Sequence, residues 1–103
     1  MDELETALTA TGLKFAHFGW SKAPKGDYGV YAEDGANDLI AGNVHAERVI
    51  EGTVDYFTRD AKLAAKALIE TALNGCAAWR LASIQFEDDT GYIHLEWVFQ
   101  VMG

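Results

Sequence analysis

Two His-x-Glu pairs, His45 with Glu47 and His94 with Glu96, come nearest in type and spacing to metal chemistry. Side chains two apart on a β-strand share a face, so each pair can offer an imidazole nitrogen and a carboxylate to one cation. Both pairs fall on the polar parity of their strands, however, where solvent-facing residues belong. Neither has a third ligand at the spacing of known zinc motifs. The run Glu87, Asp88, Asp89 could attract calcium, but the alternating acids and distant glutamate of an EF-hand loop are absent. Paired carboxylates for acid–base work need a cleft and opposed pKa values, which spacing does not supply. Cys76 is the single cysteine. It excludes an internal disulfide and any CxxC motif, and it fits a reducing compartment. With no histidine partner evident, it reads as a small buried hydrophobe. There is no G-x-S-x-G elbow and no phosphate-binding glycine loop. The expectation is a protein without catalytic residues, cofactor or metal.

Charge narrows the partners. Sixteen acidic residues face eight basic ones, for a formal charge of −8. Such a surface repels phosphate backbones, which disfavours sequence-specific nucleic-acid binding. No Lys or Arg follows Arg80, while Glu87, Asp88, Asp89 and Glu96 do, so the C-terminal part is the most negative. The N-terminal stretch MDELETALTATG is acidic and has no long apolar run, so neither a signal peptide nor a membrane helix is expected. A chain of 103 residues, half of them hydrophobic, is expected to be one folded domain.

The elements that must position these residues follow from periodicity. Leu4, Ala7 and Leu8 have helical spacing, with acids in the first turn and Gly12 as the stop, so a helix is expected over Asp2 to Ala10. A short strand is expected from Lys14 to Phe18, and a loop over GWSKAPKGD, Gly19 to Asp27. Tyr28 to Glu33 reads as a strand and EDGAND as a turn. From Val44 to Phe57 the chain alternates, with Ile50, Val54 and Tyr56 on one parity and Gly52 marking a bulge or bend. Ala61 to Asn74 reads as the strongest helix, with Asp60 as N-cap and Gly75 past its end. Ala61, Ala64, Ala65, Leu68, Ala72 and Leu73 form its apolar stripe, while Lys62, Lys66 and Glu70 lie opposite. Two strands close the chain, Ala78 to Phe86 and Tyr92 to Val101, with Leu95, Trp97 and Phe99 on the core face. EDDTG is the turn between them, and Gly91 is available for positive φ. The sum is an α+β domain: an antiparallel sheet with two helices packed on one face and a C-terminal β-hairpin.

What chemistry leaves over is surface for assembly. Trp20 sits in a loop with Lys22, Pro24 and Lys25, either as an anchor for another molecule or folded back over the sheet edge. Glu87, Asp88 and Asp89 read as a solvated turn that a basic partner can meet. Interface candidates are therefore Trp20, Lys22, Lys25, Glu87, Asp88 and Asp89.

The segments KFAHFGW, YGVYAED, GTVDYFTRD and AWRLASIQFEDDTGYIHLEWVFQV resemble small tail-completion proteins of long-tailed bacteriophages, the tail terminators and tail-to-head joining proteins. The resemblance runs from about Leu13 to Val101. It is most specific at VDYFTRD, Val54 to Asp60, and at FEDDTGYIHLEW, Phe86 to Trp97. It implies a structural virion protein, assembled in the host cytoplasm, that forms a homo-oligomeric ring, commonly a hexamer. Such a ring caps the tail-tube protein, stops its polymerisation and meets the head–tail connector, while DNA passes through its lumen. No cofactor, enzyme activity or membrane partner is implied. A small metal-binding enzyme using the two His-x-Glu pairs, and a dimeric α+β interaction module with no viral role, remain open beside it.

Overall fold

The computed structural model describes residues 1–37 and 49–102. The elements run α1 (Asp2–Ala10), β1 (Phe15–His17), β2 (Tyr28–Asn37), β3 (Val49–Thr58), α2 (Ala64–Asn74), β4 (Ala78–Phe86) and β5 (Ile93–Met102). The strands form one sheet in the order β1-β2-β3-β5-β4. The chain is α+β, as expected, but the sheet is mixed. β1 lies parallel to β2, with Phe15 opposite Gly29 and His17 opposite Tyr31; the other pairings are antiparallel. The reason is the connection. After β1 the backbone turns sharply at Phe18 (φ 68) and Gly19 (φ 152), and a long loop returns the chain to the start of β2. A tight hairpin would have made the pair antiparallel.

One face of the sheet makes the core. Val54 and Tyr56 of β3, with Leu95, Trp97, Phe99 and Val101 of β5, pack in one cluster with Leu4 and Leu8 of α1 and with Ile69 and Leu73 of α2. Both helices therefore lie on that face. α1 ends as expected: Thr11 Oγ1 donates to the Leu8 carbonyl at 2.5 Å, and Gly12 follows with φ 80.

α2 departs from its sequence reading in phase. Asp60 does satisfy backbone donors, accepting from Lys62 N at 2.9 Å and Ala64 N at 3.2 Å. It does so across a turn in which Leu63 adopts the left-handed conformation (φ 54), and the helix begins only at Ala64. The phase is thus set by the turn and not by Ala61. Ile69 and Leu73 become fully buried, while Ala61, Ala64 and Leu68 are exposed. Glu70, expected on the solvent side, is half-buried and accepts from Trp97 Nε1 at 3.0 Å.

Two strand readings also shift. EDGAND is not a turn: β2 continues through it to Asn37, with a register shift between Glu33 and Gly35 that leaves Asp34 without a partner. Gly52 does face a bulge, carried by the neighbouring strand: it pairs with Glu33, where the β2 register shifts, while its pairing with β5 stays regular. It is buried where a Cβ would sit 2.2 Å from the Ala32 carbonyl oxygen and 2.7 Å from Phe99 Cζ, so the position needs a residue without a side chain. Val44, Ala46 and Arg48 of the expected long strand lie outside the described residues.

Tyr31 and Tyr56, both buried on the core face, give the fold a pH signature. Burial pushes each phenol up to about 12, with Glu5 adding for Tyr31 and Asp27 for Tyr56. An unfolded tyrosine ionises near pH ~10. Above that the unfolded chain sheds protons that the folded chain keeps, so stability is intact below about pH 10 and falls as pH rises towards about 12. Urea unfolding across this range should show the decline, and the Tyr31→Phe/Tyr56→Phe double variant should flatten it. An equally steep decline in the double variant would exclude these phenols as the cause.

Candidate assembly surface

The two strand-end segments VDYFTRD and FEDDTGYIHLEW are distant in sequence and meet at one end of the sheet. Arg59, the residue after β3, joins them. Its Nε and Nη2 donate to the Thr90 carbonyl at 3.3 and 3.0 Å, and its guanidinium carbon lies 4.0 Å from the centre of the Tyr92 ring. A cation–π contact at a surface contributes about 0.5–1 kcal/mol. Nη1 reaches the Lys25 carbonyl at 3.4 Å.

The loop between β1 and β2 is tied to the same point. Tyr92 Oη donates to the Gly26 carbonyl at 3.0 Å. Asp27 accepts from Thr58 Oγ1 at 2.6 Å and from Arg59 N at 3.3 Å. Thr58 is buried, and its hydroxyl also accepts from Asp60 N at 3.0 Å, so both of its hydrogen-bonding roles are used. Three connections are thereby held together: residues 18–27, residues 59–63 and the acidic turn.

Within this end the sequence candidates occupy different positions. Trp20 is half-buried and its indole N–H donates to the Gly29 carbonyl at 2.9 Å, so it folds back on its own sheet. Lys22 and Lys25 are exposed, although the Lys25 backbone is pinned by Arg59. The acidic turn forms as expected. Glu87 N donates to the Tyr92 carbonyl and Gly91 N to the Glu87 carbonyl, both at 2.8 Å, and Gly91 has φ 77. Asp88 and Asp89 are exposed; Glu87 is half-buried and accepts from Thr90 Oγ1 at 3.1 Å.

The His-x-Glu reading fares differently for its two halves. His45 and Glu47 lie outside the described residues. His94 has its Nε2 2.7 Å from Asp55 Oδ1, its Nδ1 3.8 Å from Glu87 Oε2, and its ring stacked on Phe57 at 4.3 Å. Glu96 lies instead directly opposite Asp55 across the strand pair. Among the described residues no group of three or more His, Cys, Asp or Glu is placed to hold a metal ion. Burial pushes the Cys76 thiol up, and its Sγ faces the Ala72 carbonyl at 3.5 Å, which is not the environment of an activated thiolate.

The sheet face away from the helices carries a row of acids. Glu51, Asp55 and Glu96 alternate there with Thr53, Phe57 and Val98. Asp55 and Glu96 oppose each other, an arrangement that costs stability unless a cation intervenes, and His94 is the nearest basic group to Asp55.

Sequence reasoning missed Arg59, Tyr92 and Asp27 as the residues that organise this end. Their one available signal was position. Each stands at a strand boundary, where side chains reach loops and not strand faces.

No protein-family model matches the chain, and no curated protein matches it significantly. Among the described residues no helix is long and apolar enough to cross a membrane.

Proposed function

We propose that this chain is a tail-completion protein of a long-tailed bacteriophage. It acts in the virion as a homo-oligomeric ring, hexameric as in the family it resembles. The ring caps the tail tube, ends its growth and offers a surface to the head–tail connector. One observation carries the reading: Arg59 ties together the ends of the two segments with the most specific resemblance, where they reach the surface. Residues that co-operate in one surface are more informative than two isolated likenesses. The acidic row on the sheet face away from the helices supports it as well. A wall bearing Glu51, Asp55 and Glu96 repels phosphate and suits a passage along which DNA slides without sticking.

Inactivating the gene in a phage that carries it tests the reading. The expected result is tails of irregular length and unjoined heads, restored by supplying the protein from a plasmid. Normal particles from the inactivated phage would overturn it.

The acidic turn gives a second test. Replacing Glu87 by Gln and both Asp88 and Asp89 by Asn preserves the Thr90 hydrogen bond and removes three charges. Melting should change little, because the exposed Asp88 and Asp89 contribute only about 0–1 kcal/mol each and the half-buried Glu87 keeps its Thr90 hydrogen bond as Gln. Assembly should weaken, most visibly at low salt, where charges act furthest. Sedimentation at two salt concentrations reads this. Unchanged assembly in both would reduce the segment to a plain turn, and a collapsed fold would mean its carboxylates are structural.

A further inference from the structure

Glu87 opens the acidic turn and, unlike Asp88 and Asp89, is half-buried. One of its oxygens accepts from Thr90 Oγ1 within the turn, and the other lies 3.8 Å from His94 Nδ1. The second nitrogen of that ring, Nε2, lies 2.7 Å from Asp55 Oδ1 on β3. His94 therefore stands between the turn and the sheet face, with a carboxylate at each ring nitrogen. Stacking on Phe57 at 4.3 Å, which itself stacks on Tyr28 at 4.9 Å, restrains the ring in that orientation. Glu96, opposite Asp55 across the strand pair, adds a third negative group, and Gln85, the β4 partner of His94, is uncharged. Among the described residues no Lys or Arg forms an ion pair with Asp55, Glu87 or Glu96. A neutral imidazole has one N–H and one lone pair, so a ring that donates to Asp55 turns its lone pair towards Glu87. An imidazolium has an N–H on both sides and meets both carboxylates.

We infer that His94 is the positioning residue of the acidic turn: with its second proton it bridges Glu87 and Asp55 and holds the turn against the sheet, and without that proton it releases the turn. The inference rests on the turn being the assembly surface proposed above, and it supplies the regulation of that surface. Imidazole exchanges this proton between about pH 5 and 8, a range in which ordinary carboxylates stay ionised. The turn is thus held at the acid end of the range. At the alkaline end Glu87, with Asp88 and Asp89 beside it, is left facing Asp55 and Glu96 without a cation between them. Arg59 anchors the other limb of the turn through the Thr90 carbonyl, so the Glu87 limb is the one that moves.

Hydrogen exchange on the purified protein tests this. The Gly91 amide donates to the Glu87 carbonyl, so its protection, corrected for intrinsic exchange, reads the turn. In the wild type it should fall about two- to fivefold between about pH 5.5 and 8, the scale of a partly exposed ion pair. His17→Gln should keep this step, because His17 bonds Glu33 at the β1 side of the sheet. His94→Gln should lose it and match the alkaline wild-type turn at both pH values. Glu87→Gln should lose it as well, while keeping the ring's stack and its bond to Asp55. Should His94→Gln fail to fold, Glu87→Gln decides alone. No step in the wild type, or an equal step in either of the last two variants, would overturn the inference. Phage complementation separates this from the functional proposal. Normal particles without the gene would sink the tail role and leave the His94 contact standing, whereas a turn indifferent to pH in a protein that restores tails would do the reverse.

Discussion

Replacing Trp97 by Ala should lower the free energy of unfolding by about 3–5 kcal/mol. Trp97 is fully buried in the middle of the core face of β5, between Leu95 and Phe99. It pairs with Val54 on one side and Leu81 on the other, so a cavity there opens between three strands. Its indole also donates to Glu70 Oε2, which leaves Lys66 Nζ, 3.1 Å from Oε1, as that carboxylate's remaining charged partner. Domains of this size have about 5–15 kcal/mol in total, so the variant should be close to unfolding at physiological temperature. Trp97→Phe, which keeps most of the apolar volume and loses the donor, should fall between the two. Urea titration measures all three proteins. A Trp97→Ala protein melting within a degree or two of the parent would show that the helices do not seal this face.

Gly52→Ala should cost about 1–3 kcal/mol, although alanine normally stabilises a strand relative to glycine. The added Cβ would meet Ala32 O at 2.2 Å, Phe99 Cζ at 2.7 Å and Glu33 Cα at 2.8 Å. Two of these atoms are backbone and cannot rotate away, so β2 must shift at its bulge or Phe99 must leave its place in the core. Gly35→Ala is the control: it adds the same atom to the same strand pair, in open space. That change should be neutral or slightly stabilising. Equal effects at the two glycines, in parallel thermal melts, would show that the close approach at Gly52 is not real.

The alternation of apolar and polar residues determined by itself the two C-terminal strands, their hairpin and its turn. Ile93, Leu95, Trp97, Phe99 and Val101 point one way in the sequence, and four of the five are buried in the structure. α1 was equally legible, because Leu4, Leu8 and Gly12 state its face and its end locally. Such features arise from interactions within a few residues, and a period of two or 3.6 records them.

Tertiary structure decided what depends on residues far apart. The direction of β1 follows from where a long loop returns, which no local pattern encodes. The face of α2 follows from the left-handed turn at Leu63, where the start of the helix is tied through Asp60 and Thr58 to Asp27. A slip of one residue rotates a helix by about 100°, enough to exchange Leu68 for Ile69 in the core. Arg59 shows the same limit at the candidate surface. Alone in the sequence it is a basic residue beside an acid. Only closure of the sheet brings it within reach of Thr90, Tyr92 and Lys25, because those contacts span more than thirty positions of chain and exist only once β3 has paired with β5.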